Sequence, residues 1–430
     1  GRERRGVAAK LAGERKLGIE YTWETVFQIQ IKEVTMKGLT SKILIALGIV
    51  LILGAILWWA IAVNALVKLP DDIDSESAYD GEITYYLDPG TQEPLPAGEE
   101  ITMPMKVDRT VKSLKDEYDS SRAVIEEKVV VEVAGMQNPP GGTTSVYVLD
   151  RKSSENVDDD RAFDFEEGNK VNRQGSYYPL FPFDTSSDDT YPVWKPEIIE
   201  AKDAEFVEEK ELEGITVYNF SGGGTIDERK AVSPAYVKML GVPEEVSFDQ
   251  LKPQLAAMGV DADALIATAS QVIGARSPED LQALNAALQK SIPVKYYWAA
   301  ELEVSVEPKT GSPVNSYKDV EALYMELDTS GLLEVFTILS KYSDVLGPEL
   351  TQLAGLQDQM GEMEPTKVFE YSIVQTEDSV KAAVEEAKDG AGRINLVKVY
   401  IPWALLIVGA LILIIGLLAG GGQAPVQLEE

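Results

Sequence analysis

The chain has 430 residues, 39 Lys and Arg against 71 Asp and Glu, and a formal charge of −32; so acidic a surface repels phosphate backbones and sets the protein against nucleic-acid binding. With no cysteine and no histidine, disulfides, thiolate nucleophiles, zinc–thiolate sites, iron–sulfur clusters, Ser-His-Asp or Cys-His catalysis and the HExxH metal motif are all impossible. A hydrolase would have to work with carboxylates, Lys, Tyr or a Ser-Lys pair, and no pair is singled out, so the chain reads as a non-enzyme without a cofactor.

Residues 1–35 are basic and mixed, with no clean helical or strand period, and the first methionine is Met36. Lys32-Glu33-Val34 can be encoded by AAG-GAG-GTN, a ribosome-binding element at a workable distance from Met36. Residues 1–35 are therefore expected to be translated upstream sequence, or else a basic tail. Ile43–Val63 (ILIALGIVLILGAILWWAIAV) carries no charge and is long enough for a transmembrane helix, which needs about 20 such residues; we place that helix at 43–67. Lys37 and Lys42 precede it and Asp71, Asp72 and Asp74 follow, so the N-terminus is expected inside and the following chain outside. Ala60-Ile61-Ala62 and Val63-Asn64-Ala65 resemble signal cleavage sites. A signal core spans only about 7–15 residues, and the longer run here favours a retained anchor.

Residues 68–230 read as β. Glu82–Leu87, Ile101–Val111, Lys128–Val133 and Thr144–Leu149 are rich in Val, Ile, Thr and Tyr and are broken by Pro and Gly. Three similar turns recur, LDPGTQEPL (87–95), LDRKSSENV (149–157) and VEPKTGSPV (306–314), each an acid, then turn formers, then a return strand. Ser176–Pro196 is held extended by Pro179, Pro182, Pro192 and Pro196. Its aromatics Tyr177, Tyr178, Phe181, Phe183, Tyr191 and Trp194 need burial or a ligand, and a strap packed across the β region is expected. Asp184, Ser186 and Asp188 alternate like a calcium loop, but Asp189 stands where Gly belongs and Lys195 where Glu belongs. These residues and Asp158-Asp159-Asp160 read as solvated turns, and no metal site is assigned.

A helical insertion is expected over 231–292, with helix starts at Ser247-Phe248-Asp249-Gln250 and Ser277-Pro278-Glu279-Asp280. Over 293–398, strands at Tyr296–Val306 and Val314–Glu326 precede an amphipathic segment from Leu332 to Met360, interrupted at Gly347-Pro348. Its apolar face, Leu332, Leu333, Val335, Phe336, Ile338 and Leu339, is either core or the lining of a ligand cavity. A last strand at Lys367–Val374 and a helix capped by Thr376-Glu377-Asp378 lead to a second apolar run, 399–419, expected to be the second transmembrane helix. Trp58, Trp59, Tyr400 and Trp403 form an interfacial belt. Gly48 with Ala55, and Gly409 with Gly416, give each helix a small-residue face for close packing. The tail 420–430 is too short for a signalling domain. The architecture is an α+β body outside a cell membrane, crossed twice, with both termini cytoplasmic.

KLPDDID (68–74), TYYLDPGTQEPL (84–95), VYVLDRKSSENV (146–157), SYYPLFPFDTSSDDTYPVWKP (176–196) and LEVSVEPKTGSPVN (302–315) together resemble the PorA family of actinobacterial envelope proteins, from about Met36 to the second apolar run. The resemblance implies an envelope protein with two terminal helices and an external domain, and brings no catalytic motif. A barrel porin needs many alternating segments of about ten residues and no spanning helix, so a pore here would need helices from several copies. The layout is also similar to that of class B scavenger receptors, which bind lipids through an apolar tunnel. The expected function is binding or passage of a hydrophobic, lipid-like ligand by the external domain. Its alternatives are a structural or assembly protein of the envelope and an oligomeric porin-like channel. The partners are the bilayer, envelope lipids and other envelope proteins.

Overall fold

The computed structural model describes residues 23–86, 102–135, 142–257, 260–346 and 364–420. The chain divides into two compact units, Lys68–Ala391 and the two terminal stretches Gly1–Val67 with Gly392–Glu430.

The larger unit is built on one curled antiparallel sheet. Its strands are β1 Asp74–Tyr86, β2 Met103–Ser113, β3 Arg122–Val133, β4 Thr143–Asp150, β5 Tyr191–Lys195, β6 Glu200–Leu212, β7 Ile215–Gly224, β8 Lys230–Ala231, β9 Glu245–Val246, β10 Ile292–Glu307, β11 Ser312–Leu327 and β12 Thr366–Gln375. They run in the order β4-β3-β2-β1-β12-β11-β10-β7-β6-β5, with β8 and β9 paired to β10. The first and last strands are therefore neighbours at the centre, Tyr79 opposite Gln375. Backbone and side-chain bonds lock their shared end: Thr376 donates from its N–H to the Ala78 carbonyl at 2.9 Å, and the Ala78 N–H to Ser379 Oγ at 2.8 Å.

Between β7 and β10 lie α1 Pro234–Leu240, α2 Phe248–Ala257, α3 Ala262–Arg276 and α4 Pro278–Leu288. Ser233, Asp261 and Ser277 cap three of them by accepting backbone N–H bonds in the first turn. α3 and α4 share a core with α5 Leu333–Ser340, and α6 Glu377–Asn395 follows β12. In the turn between β10 and β11, Gly311 sits at φ +71°, where a Cβ would lie 2.2 Å from the Phe181 carbonyl oxygen. Only glycine fits there. The 149–157 turn is closed by Asp150 Oδ1, which accepts the N–H bonds of Lys152 and Ser153. The 87–95 turn, the Gly347-Pro348 interruption and most of the 420–430 tail lie outside the described residues.

In the other unit, one helix runs Trp23–Leu57, continues as a π turn Trp58–Ala62 and ends at Val63–Leu66. The second apolar run makes a π turn Leu396–Tyr400 and a helix Ile401–Gly420. Residues 23–35 are helical although the sequence shows no helical period there. An apolar helix already nucleated adds a hydrogen bond for each residue it gains, so propagation upstream needs no amphipathic face. Gly38–Leu66 and Glu377–Gly420 each contain a stretch long and apolar enough to cross a membrane.

The two apolar helices pack antiparallel through their small residues. A Cβ on Gly48 would lie 2.7 Å from the Leu413 nitrogen, and one on Gly416 2.9 Å from that of Ile45. Ser41 Oγ donates to the Gly416 carbonyl at 2.7 Å. At the other end the two π turns face each other. A π turn skips a carbonyl of the ordinary helical ladder, and here the indole N–H groups of Trp58 and Trp59 donate to the carbonyls of Val397 and Lys398, both at 2.9 Å. Trp59 also meets Trp403 edge to face, with ring centroids 6.0 Å apart.

Candidate functional site

Alternation along the strands aims every second residue at one face of the sheet. Met105, Val107 and Arg109 of β2, Glu127, Val129 and Val131 of β3, Leu302 and Val304 of β10, and Phe369, Tyr371 and Ile373 of β12 all obey this period. Together they wall a cavity of about 300 Å³. Tyr178 and Phe181 of the strap, Phe220 of β7, Tyr236, Met239 and Leu240 of α1, and the hairpin residues Lys195 and Glu197 complete it. The lining is mostly apolar, broken by two charged clusters and by Lys202 and Glu303.

The first charged group centres on Glu127, which lies on the inward register of β3 and is buried. It accepts from Arg109 Nε at 2.5 Å, Tyr178 Oη at 2.8 Å and Tyr147 Oη at 2.9 Å. Burial alone would raise its pKa. The Arg109 charge and the three hydrogen bonds outweigh burial and hold it below the usual carboxylate value. Beneath it the fully buried Arg173 pairs with Asp164 and lies over the Tyr147 ring at 4.0 Å. Asp164 also accepts from Trp194 Nε1 at 2.9 Å, which anchors the strap to the sheet. Burial raises the Asp164 carboxyl despite Arg173.

The second group is Lys318, Glu321, Glu197, Tyr236, Tyr371 and Lys195. Lys318 pairs with Glu321, reaches Tyr371 Oη at 3.1 Å and lies 3.4 Å from Glu197 Oε1. Tyr236 Oη donates to Glu321 at 2.9 Å. Lys195 ends β5, where Lys195–Ile198 form a turn closed by the Ile198 N–H on the Lys195 carbonyl at 3.2 Å, with Pro196 at its favoured second position. Lys195 is partly exposed and is among the residues that line the cavity. Its enclosure lowers the ammonium pKa to about 8, whereas burial raises that of the Glu197 carboxyl.

The six aromatics of the strap are distributed by the fold. Tyr178 and Phe181 line the cavity. Tyr177 and Tyr191 pack into the ring cluster around Phe220, Phe183 packs beside Leu69 and Val111, and Trp194 is buried on Asp164. Leu332, Val335, Phe336 and Leu339 surround a void of only about 30 Å³, one water's share of volume. Leu333 is 47% exposed. That face packs against the helical insertion. Arg109, Glu127, Glu197, Lys318 and Glu321 are not singled out in the sequence, and Lys195 stands out there only as the residue that breaks a calcium-loop pattern. For Arg109 and Glu127 the available signal is a charge on the apolar register of an alternating strand. Among the described residues no group of three Asp or Glu side chains is arranged to hold a metal ion.

The family model described as Porin PorA matches residues 40–418, nearly the whole chain. The chain belongs to that family. No curated protein matches it. As a PorA family member with two helices of membrane-crossing length and composition, it is a porin-like membrane protein of the envelope. In this member of the family the sheet runs as an open path from β4 to β5 among the described residues, with the cavity on its inner face.

Proposed function

We propose that the body of this envelope protein binds a hydrophobic, lipid-like ligand in the cavity on the inner face of its sheet. The observation that carries the reading is the lining: strands distant in sequence turn their apolar register to a volume of about 300 Å³, the lower end of ordinary ligand pockets at about 300–1,000 Å³. A core without a ligand packs to a density that leaves few voids larger than a water. In this reading the protein crosses the membrane twice, with both termini cytoplasmic and the body outside, and acts by binding and transfer rather than catalysis.

Native mass spectrometry of the full chain, purified from a lipid-rich host, tests it. A co-purifying lipid, released on denaturation and lost when Val129→Phe fills the cavity, supports the reading. A clean protein mass from such preparations refutes it. The family description favours a second reading, an oligomer whose helices enclose a pore. Single-channel conductance from a defined oligomer in a planar bilayer supports that reading, and a monomer without conductance removes it.

A further inference from the structure

Four cations line the cavity, and three are already matched. Arg109 is held by Glu127 at 2.5 Å, Lys318 by Glu321 and Glu197, and Lys202 by Glu228. Lys195 Nζ makes no hydrogen bond and no ion pair among the described residues. Two residues away, across Pro196, Glu197 Oε2 is buried and also has no hydrogen-bond partner. An ammonium whose counter-charges, Glu197 and Glu321, act on it without touching it is costly to hold, and an unsatisfied carboxyl oxygen adds to that cost. Both residues line the same empty volume.

We infer that the ligand carries a singly charged carboxylate head on an apolar chain, and that Lys195 receives that head; this rests on the cavity reading above and names its ligand class. The ammonium supplies the charge. A phosphate head of roughly −1.5 to −2 charge would call for a second cation, and the other three are committed. The apolar volume, about ten times a water's share, takes a chain of about ten methylene-sized groups.

The test uses the full chain in nanodiscs at pH 7, with labelled decanoate, decanol and decyl phosphate measured above empty nanodiscs. Decanoate should bind at least about tenfold more tightly than either. Lys195→Met should erase the preference over decanol while decanol still binds, and Lys195→Arg should retain it. Lys195→Met should also melt no lower than the parent, which excludes misfolding as the cause. Equal binding of decanol, tighter binding of decyl phosphate, or a preference surviving in Lys195→Met overturns the head-group assignment and leaves the cavity reading standing. Displacement of decanoate by equimolar acetate overturns it in favour of a bare anion site. No binding of any of the three overturns the cavity reading as well.

Discussion

Removing Glu127 alone should harm the protein far more than removing it together with Arg109. Glu127→Ala leaves the Arg109 guanidinium enclosed without its 2.5 Å partner and takes the shared acceptor from Tyr147 and Tyr178. Breaking a buried pair from one side costs about 3–5 kcal/mol. A body of this size melts about 2 °C lower for each kcal/mol lost, so Glu127→Ala should lower its melting temperature by roughly 6–10 °C. Arg109→Met with Glu127→Leu removes both charges and fills similar volume, a change often neutral in buried pairs, and should restore most of the loss. The pH dependence follows from the lowered carboxyl. The contribution is complete above the unfolded-state value of about 4.3 and fades as pH falls below it. Near-ultraviolet circular dichroism of the full chain in nanodiscs, melted between pH 3 and 8, reads all three. A Glu127→Ala protein within 2 °C of the parent at pH 7, or a double variant no better than the single one, would refute the reasoning.

Three further outcomes are expected. Phe220 is fully buried and meets Phe181, Tyr191 and Phe206 at centroid distances of 5.3, 5.5 and 6.0 Å. Phe220→Ala should therefore destabilise by about 3–5 kcal/mol in urea unfolding. Lys195→Met should stabilise the ligand-free protein at neutral pH. Enclosure, opposed by Glu197 and Glu321 and reinforced by Lys318, holds the parent's ammonium near 8 against about 10.4 unfolded. Its cost is complete below pH 8 and is relieved as pH rises toward 10.4, so the two melting curves should converge there. Gly48→Ile should push the apolar helices apart, since even a Cβ would sit 2.7 Å from backbone. The chain has no cysteine, so spin labels on cysteines introduced at Leu47 and Leu411 report the distance directly, and an unchanged distance would refute the packing.

The features legible in the sequence are those that local order decides. The apolar runs give the helices, and alternation with turn chemistry gives an antiparallel β body, because hydropathy and period are properties of neighbouring residues. The cavity is not of that kind. Met105 and Phe369 reach one volume only because β1 pairs with β12 across nearly the whole body. Tyr178 and Phe181 stand out as aromatics needing burial, yet nothing in the strap tells them from Tyr177 or Trp194. Lys195 is hidden more completely. In the sequence it is the residue that spoils a calcium loop; in the fold it closes a five-residue strand and lines a mostly apolar cavity.

The meeting of β1 and β12 also orders the protein's assembly in time. The strand made first borders the strand made last, so the middle of the sheet cannot close until both have been made. Until Thr366–Gln375 is available, β4 to β1 and β11 to β5 are two half-sheets, each with an open edge where the other belongs, and open edges recruit foreign strands. The ten residues Thr366–Gln375 therefore seal the body. A chain cut short before Thr366 would lose the seam that joins its halves, and with it the cavity whose walls those halves share.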